Sequence, residues 1–506
     1  MRRVRLRSAS PLPLLGLALV LSLAGCAASA SPVPPATAVA DPALPPPRPV
    51  VPAAPPPSSR ADIAALPYGE AYRAILAQMV AVDTSHGEET KLLEPVAQMY
   101  RDAGVSVQML EAVPGRGNLI ARLKGSGAKK PLLLIAHVDV VPVAGQPWTV
   151  PPFALTEKDG FLWGRGVNDD KSMAAAIVAL TLDLARKKTP LSRDVIVALT
   201  AGEETGGKEG ARWLTEHHPE LLDAEIALNE GGVALLDDAG AHVLAVNLTV
   251  SEKFFQTYHL SVKGKGGHSS QPPTSGDPVV TLARALLKVG SYRFTPRVLP
   301  EAKAAFSSEV ATAEPEYAAA LKRVVASAPR ISPADDAILS RSAAYNSRYR
   351  TTCVTTMLKG SPQDNVLPTT AEATVNCRIL PGETVDQVTA QLTRVIGDAN
   401  VEITLSPDNG SGPASPYEGE VVEAVKKVSA TAYPGAVVLP AMMTGASDSR
   451  YLRKIGIHAY GVNPSTVSRA EEKAGHSWHG ADERYRASWF VPAAEFFRQV
   501  VLTLAQ

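Results

Sequence analysis

Short apolar runs punctuate the chain, and three of them run straight into acidic or imidazole side chains. PLLLIA leads into His137, Val138 and Asp139, DVIVALTAG into Glu203 and Glu204, and AEIALN into Glu230. Val/Ile/Leu-rich runs this short, bounded by Gly and polar residues, predict fully buried strands. Between the first two, SMAAAIVALTLDLARKK spaces its apolar residues by three and four and ends on basic side chains. That pattern predicts a helix. It follows the segment GRGVNDDK, which carries Asp169 and Asp170. Residues 61–252 therefore read as the first part of an α/β domain.

After Ser251 the texture changes. KFFQTYHLSVKG predicts a strand, DPVVTLARALLKVG a helix, RTTCVTTML and ATVNCRIL two strands, TVDQVTAQLTRVIG a helix and VEITLS a last strand. The order β-α-β-β-α-β is that of a ferredoxin-like unit. Residues 253–407 are expected to form this second domain, interrupted at 294–350 by an Ala-, Pro- and charge-rich, partly helical stretch. From 408 to 506 the α/β texture returns, with helix EGEVVEAVKKVSATA, a turn at MTGASDSR, strand IHAYGV and a C-terminal helix from Val491. The second domain is thus inserted into the first.

The chain begins differently. Residues 1–25 join a basic start to the apolar run PLPLLGLALVLSLAG, which is short for a spanning helix and fits an export signal. It closes on Leu23-Ala24-Gly25-Cys26, similar to the lipobox of bacterial lipoproteins, in which the Cys is lipidated and becomes the first mature residue. Cleavage after the small residues 27–30 is the alternative, and would give a soluble periplasmic protein. Residues 26–60 are Pro- and Ala-rich, unable to bury a core, and predict a tether. The expected location is the cell envelope, with a periplasm-facing lipid anchor. Lys+Arg and Asp+Glu are equal at 50 each, so no bulk field points to nucleic acid. Cys353 and Cys377 lie on neighbouring predicted strands and either bridge in an oxidising compartment or serve as small core residues.

Ligands in open α/β sheets bind beyond the carboxyl ends of the strands. Carboxylates gathered there repel one another unless cations neutralise them. His137, Asp169, Glu204, Glu230 and a late histidine make an N/O set suited to two divalent cations, most simply Zn²⁺. Asp169, after a Gly-rich turn, suits the bridging position. Asp139 is placed to orient the His137 imidazole, and Glu203, next to a ligand yet free, suits a general base.

With these motifs in place, the chain resembles the M20 dinuclear zinc peptidases and amidohydrolases. The likeness is carried by HVDVVP, PWTVPPF, GRGVNDDK, AGEETGG, NEGG, GGHSS, DNVLP, NCRILPG and the terminal HGADER, from about residue 65 onward. It implies a zinc-exopeptidase-like catalytic domain with an inserted lid and dimerisation domain. It also implies one metal on His137, Asp169 and Glu230 and another on Asp169, Glu204 and His479, the latter four residues before Glu483. His476 is expected to be a neighbour only. Asn229 departs from the Asp that related aminoacylases often carry before the ligand Glu.

The implied reaction is hydrolysis of an amide in a small peptide or N-acyl amino acid. Glu203 moves the proton, His268 assists the oxyanion, and Asn365 and Arg378 hold the substrate carboxylate. The loop 444–448 is expected to line the pocket. In the family the lid forms a homodimer and lends His268 to the partner's site. A non-catalytic metal- or peptide-binding lipoprotein and an aminopeptidase-type dinuclear hydrolase are the competing readings. Carboxypeptidase, dipeptidase and aminoacylase activities remain open alternatives.

Overall fold

The computed structural model describes Ile63 and residues 66–311, 313–407, 412–468, 470–471 and 478–506. The export signal, Cys26, the stretch 26–60 and His476 lie outside the described residues. Among the described residues no helix is long and apolar enough to cross a membrane.

A ten-stranded sheet forms the frame. Its order is Ser106–Glu111, Gly117–Leu123, Val195–Thr200, Leu132–His137, Ile226–Asn229, His458–Gly461, Val243–Glu252, Ala234–Leu236 and Thr466–Ser468, with Val437–Met443 also paired to Val243–Glu252. The three runs singled out above lie side by side and parallel at its centre. Each is buried along its whole length. Alternation sends Leu132, Leu134 and Ala136 into one core and Leu133 and Ile135 into another on the opposite face. The helix Lys171–Lys187 is buried around most of its circumference, because it lies between the sheet and the helix Tyr68–Val80.

The lid is a four-stranded antiparallel sheet in the order Thr352–Lys359, Thr370–Ile379, Phe254–Lys263, Val401–Leu405. Helices Pro278–Ser291 and Val385–Ile396 cover one face through Leu282, Val289, Val388 and Leu392. This is the ferredoxin-like unit expected from the strand order. Cys353 lies opposite Cys377 and the two are disulfide-bonded.

The 294–350 stretch folds into the helices Pro300–Glu309, Pro315–Ser327, Pro333–Leu339 and Ala343–Arg348. They share a small core of Val298, Phe306, Leu321, Val324, Leu339 and Tyr349. The first of them lies against Val437–Met443, a strand the sequence pattern did not announce. Pro440 sits in its middle, paired with Leu248. A proline is tolerated there because, among the described residues, the strand pairs along one side alone. The C-terminal helix starts at Ala487, four residues before the expected Val491, with Pro492 in its first turns.

Candidate metal centre

The ligand candidates converge where the central strands end. His137 is the last residue of its strand, and Glu203 and Glu204 lie on a short 3₁₀ turn just after Val195–Thr200. Glu230 follows Ile226–Asn229 directly. Asp169 precedes the buried helix at Lys171, and its peptide to Asp170 is cis. His479 arrives on a distant loop with a left-handed backbone, φ 72°.

Two groups of donor atoms form: His137, Asp169 and Glu230 in one, Asp169, Glu204 and His479 in the other, each within 4.8 Å. These are the two ligand sets implied by the family resemblance. Asp169 belongs to both, with Oδ1 3.0 Å from His137 Nε2 and Oδ2 3.1 Å from His479 Nε2.

Hydrogen-bond chemistry shows what this arrangement is built for. His137 Nδ1 lies 3.1 Å from the Asp139 carbonyl oxygen, which can only accept. In the neutral imidazole Nδ1 therefore carries the proton, and the Nε2 lone pair faces the Asp169 carboxylate. A lone pair against an anion needs a cation between them. His479 Nε2 repeats the problem, since it lies 3.1 Å from both Asp169 and Glu204 and has one proton at most to offer. The donor set therefore fits two divalent cations bridged by Asp169.

Electrostatics agree. Burial pushes the Glu230 and Glu203 carboxyls well above the usual carboxylate range, and His137 opposes the shift in each. Hydrogen bonds to Asp169 and then Glu204 raise His479 to about 10. Burial would lower His137, but its bonds to Asp139 and Asp169 lift it well above its ordinary value. This is a cluster that holds protons where metals would otherwise stand.

Asp139 braces more than the imidazole. Its two carboxylate oxygens accept from the backbone N–H of Glu203 (3.0 Å) and of Glu204 (3.1 Å). One residue thus fixes a candidate ligand histidine through its main-chain carbonyl and the turn carrying the next two acids through its carboxylate. Glu483 does the same for the bridging residue. Buried, it accepts from the N–H groups of Gly166, Asn168 and Asp169 and from Arg165 Nη1 (2.9 Å). The Arg165 side chain also donates to Gln146 and to the Gly480 carbonyl. Gln146 reaches the His479 carbonyl (2.9 Å) and Thr149 is held by Asp482. The segment around PWTVPPF therefore clamps the histidine loop.

The surroundings of Arg378 differ from expectation in one respect. Arg378 stacks over Phe255, and Arg450 packs on the same ring, 5.5 Å from its centroid. Arg450 is buried and lies 4.0 Å from Glu203. Sequence reading stopped at residue 448 and missed it. The usable signal was an arginine two residues into the loop's helix, Ser449–Lys454, which is buried almost throughout. In the loop itself, Ser447 is held by Glu252, and Asp448 accepts from Thr200 (2.9 Å). Burial raises Asp448 to about 6. Asn229 donates to Ser449 Oγ (3.0 Å), so the amide that replaces the common Asp has its own partner.

His268 and Asn365 stand apart from this network. They share an exposed ribbon, Gly267–His268 paired with Val366–Leu367, where the Ser269 N–H donates to the Asn365 carbonyl. The His268 ring bonds Ser270 (2.8 Å), and among the described residues its hydrogen bonds stay within the ribbon.

Comparison with known proteins agrees with this geometry. Residues 133–503 match the family described as Peptidase family M20/M25/M40. The chain is similar to the N-fatty-acyl-amino acid synthase/hydrolase PM20D1 of Xenopus tropicalis, 28% identical over 73% of this chain and 72% of the relative. It is also similar to the succinyl-diaminopimelate desuccinylase of Cereibacter sphaeroides, 27% identical over 85% of this chain and 97% of the relative. Among solved structures, the M20 metallo-carboxypeptidase Sso-CP2 of Sulfolobus solfataricus shares the fold, with a TM-score of 0.63 and 19% identity over 85% of this chain and 98% of that one.

Proposed function

The chain belongs to peptidase family M20/M25/M40 and is a metal-dependent hydrolase of peptide or N-acyl amino acid amide bonds; from that premise we propose how its residues divide the work. The reading is a dinuclear zinc centre on His137, Asp169, Glu204, Glu230 and His479, with Glu203 as general base. The observation that carries it is the Asp169 carboxylate, whose two oxygens face two separate imidazole nitrogens at 3.0 and 3.1 Å.

When bound, the cations supply Lewis acidity at the scissile carbonyl and lower the pKa of water. The chain's own residues do the rest. Glu203 takes the proton of the attacking water and delivers it to the leaving nitrogen. Burial favours its protonated form, which suits the second half of that cycle. Arg378 holds the terminal carboxylate of the substrate, with Arg450 beside it over Phe255. Asp139 positions His137 and the Glu203-Glu204 turn without touching substrate.

His268 and Asn365 fit this scheme through a homodimer. The lid exposes Val354, Met357 and Leu358 on its edge strand and Val279, Val280 and Leu287 on its outer helix. An exposed apolar strand edge beside an apolar helix face suits a second copy of the chain. That partner would receive His268. We further read Cys26 as a lipid anchor and residues 26–60 as a tether in a bacterial envelope, on the motif and composition alone. A Cys26→Ser variant would then leave the membrane fraction with its catalysis intact.

The decisive experiment assays zinc-loaded protein against N-acyl amino acids, dipeptides and their C-terminal amides. Hydrolysis of the free acids roughly 10- to 150-fold faster than of the amides is expected. Equal rates on both would remove the carboxylate clamp, and no turnover at all would leave a metal-binding protein without catalysis.

A further inference from the structure

The four-helix insertion belongs to the lid by chain and to the catalytic domain by contact. It leaves the lid after the helix Pro278–Ser291 and rejoins it at the strand Thr352–Lys359. Between those points Pro300–Glu309 lies against the main-sheet strand Val437–Met443, and Glu301 accepts from Ser251 Oγ at 3.0 Å. A rotation of the lid against the main sheet would have to break that bond and slide that helix.

Such a rotation would turn about a single residue. Val243–Glu252 pairs in the main sheet and Phe254–Lys263 in the lid sheet, so Lys253 alone separates them. Its backbone N–H donates to the Met443 carbonyl on the catalytic side (2.9 Å). Its side chain is buried, and the ammonium donates to the carbonyls of Ser347 (3.0 Å) and Arg350 (2.8 Å), where the insertion returns to the lid. Burying an ammonium is unfavourable unless its donors are satisfied, and here main-chain carbonyls of the insertion satisfy them. Arg350 closes the same neck by donating to the Phe294 carbonyl (3.2 Å) and pairing with Asp336. Arg297 donates from its N–H to the Tyr349 carbonyl (2.7 Å) and from its side chain to the Pro381 carbonyl of the lid. Main sheet, insertion and lid therefore meet at Lys253.

Phe255 follows two residues on. Arg378 of the lid stands 5.2 Å from its ring centroid and Arg450 of the catalytic domain 5.5 Å from it. Arg450 in turn lies 4.0 Å from Glu203. The angle of the lid at Lys253 therefore sets how far Arg378 stands from the metal centre. The two cations are close enough to feel each other: burial, then the charge of Arg378, lowers the Lys253 ammonium to about 7.

We propose that Lys253 is a positioning residue for amide hydrolysis. It fastens the hinge of the lid to the insertion, and the insertion braces the lid against the main sheet, so that Arg378 keeps a fixed distance from the metal centre. The proposal rests on the reading of Arg378 as the holder of the substrate carboxylate. The insertion, for which the sequence indicates no purpose, is that brace.

Lys253→Met nearly keeps the length of the side chain and removes its donors. In zinc-loaded protein it should lower kcat/KM for a free-acid substrate at least about tenfold, mainly through KM, and for the C-terminal amide by less than about twofold. In an Arg378→Ala background the same substitution should cost less than about twofold on either substrate. Equal losses on acid and amide, or an undiminished loss without Arg378, would make Lys253 a residue of the fold alone and overturn the proposal. The lid angle is read separately, as the distance between spin labels on Lys91→Cys in the catalytic domain and Lys263→Cys in the lid, both exposed positions, in protein diluted with unlabelled chain. One narrow distribution is expected in the parent, and a broadened or shifted one after Lys253→Met. Should that variant fail to fold, Glu301→Ala carries both measurements, because it frees the insertion from Ser251 and leaves Lys253 in place. Distances that broaden while the parent hydrolyses acid and amide equally would support the brace and remove the Arg378 reading alone. Unchanged distances beside a clear preference for the acid would sink the brace and leave the clamp.

Discussion

The metal end of the main sheet and the ribbon of the lid both hold implicated residues but are constructed in opposite ways. At the sheet, the Glu203-Glu204 turn and the Asp169 loop are each braced by a buried carboxylate. Asp139 holds the Glu203-Glu204 turn, Glu483 holds the Asp169 loop, and Arg165 ties that loop to the Gly480 carbonyl. At the ribbon, His268 and Asn365 are exposed and bond only within the ribbon and its adjoining turns among the described residues. The first region is organised before anything binds. The second is exposed and stands apart from the network around the candidate ligands. Preorganised groups cost nothing to arrange at the moment of reaction, and only the sheet end is built that way.

Removing the metals gives the largest expected effect on the braced region. Chelation should abolish turnover without unfolding the lid, and reloading should depend steeply on pH. His479 is raised to about 10, so below that value it holds a proton that a cation must displace. His137 is raised as well. Apparent zinc affinity should therefore fall as pH falls, by about tenfold per unit for each proton released. A zinc titration by calorimetry at pH 6, 7 and 8 would show it. Affinity independent of pH would mean that the site is not protonated as its geometry implies.

Glu203→Gln comes next and separates chemistry from scaffolding within the same turn. The loss of a general base costs about 10²- to 10⁴-fold in kcat. Metal content should remain two per chain, because Glu204 is the ligand and Asp139 holds the turn through backbone N–H groups that the substitution leaves intact. Loss of one metal from this variant would reassign Glu203 to the ligand set.

How much of this was legible in the sequence follows the same division. The candidate ligands His137, Glu204 and Glu230 were readable because apolar runs stop abruptly at imidazole or acids, and a buried parallel strand must deliver its next residue to the sheet's edge; Asp169 stood out after its Gly-rich turn, and His479 through the family resemblance alone. The ferredoxin-like unit was readable because its period-two strands and amphipathic helices are regular. What remained hidden were partners distant in the chain. Glu483 was visible as a spacing marker, but its bonds to residues 166–169 come from a loop 315 residues away. Arg450 sits in a helix of six residues where charge normally means solvent, yet it is buried against Phe255. Pro440 concealed a strand, since proline argues against one except at an unpaired side.

The effect of the arginine pair should be intermediate. Arg378→Ala removes a charge-assisted contact with the substrate carboxylate, worth about 1.5–3 kcal/mol, or roughly 10- to 150-fold in kcat/KM. The loss should vanish on a substrate whose carboxylate is amidated. Arg450→Ala should also lower kcat on that amide, because Arg450 lies 4.0 Å from Glu203. Equal behaviour of the two variants would merge them into one clamp.

The smallest signal tests the ribbon itself. If His268 completes the site of a partner, then Glu203→Ala and His268→Ala are each inactive alone but complementary when mixed. In a mixed dimer one site keeps its own Glu203 and receives an intact His268 from the other chain. Random pairing makes half the dimers mixed, and one of the two sites in each is complete. About a quarter of wild-type sites should therefore return, measured as kcat per total chain after the two variants are unfolded and refolded together. If His268 serves its own chain, every site in the mixture lacks one group and no activity returns. The apolar edge at Val354, Met357 and Leu358 supplies an independent control. Met357→Lys should prevent pairing by placing a charge on the strand edge, and with it the recovery, while its own zinc content stays at two. Full turnover by a Met357→Lys chain that is otherwise wild type and monomeric would mean that the ribbon reaches its site without a partner.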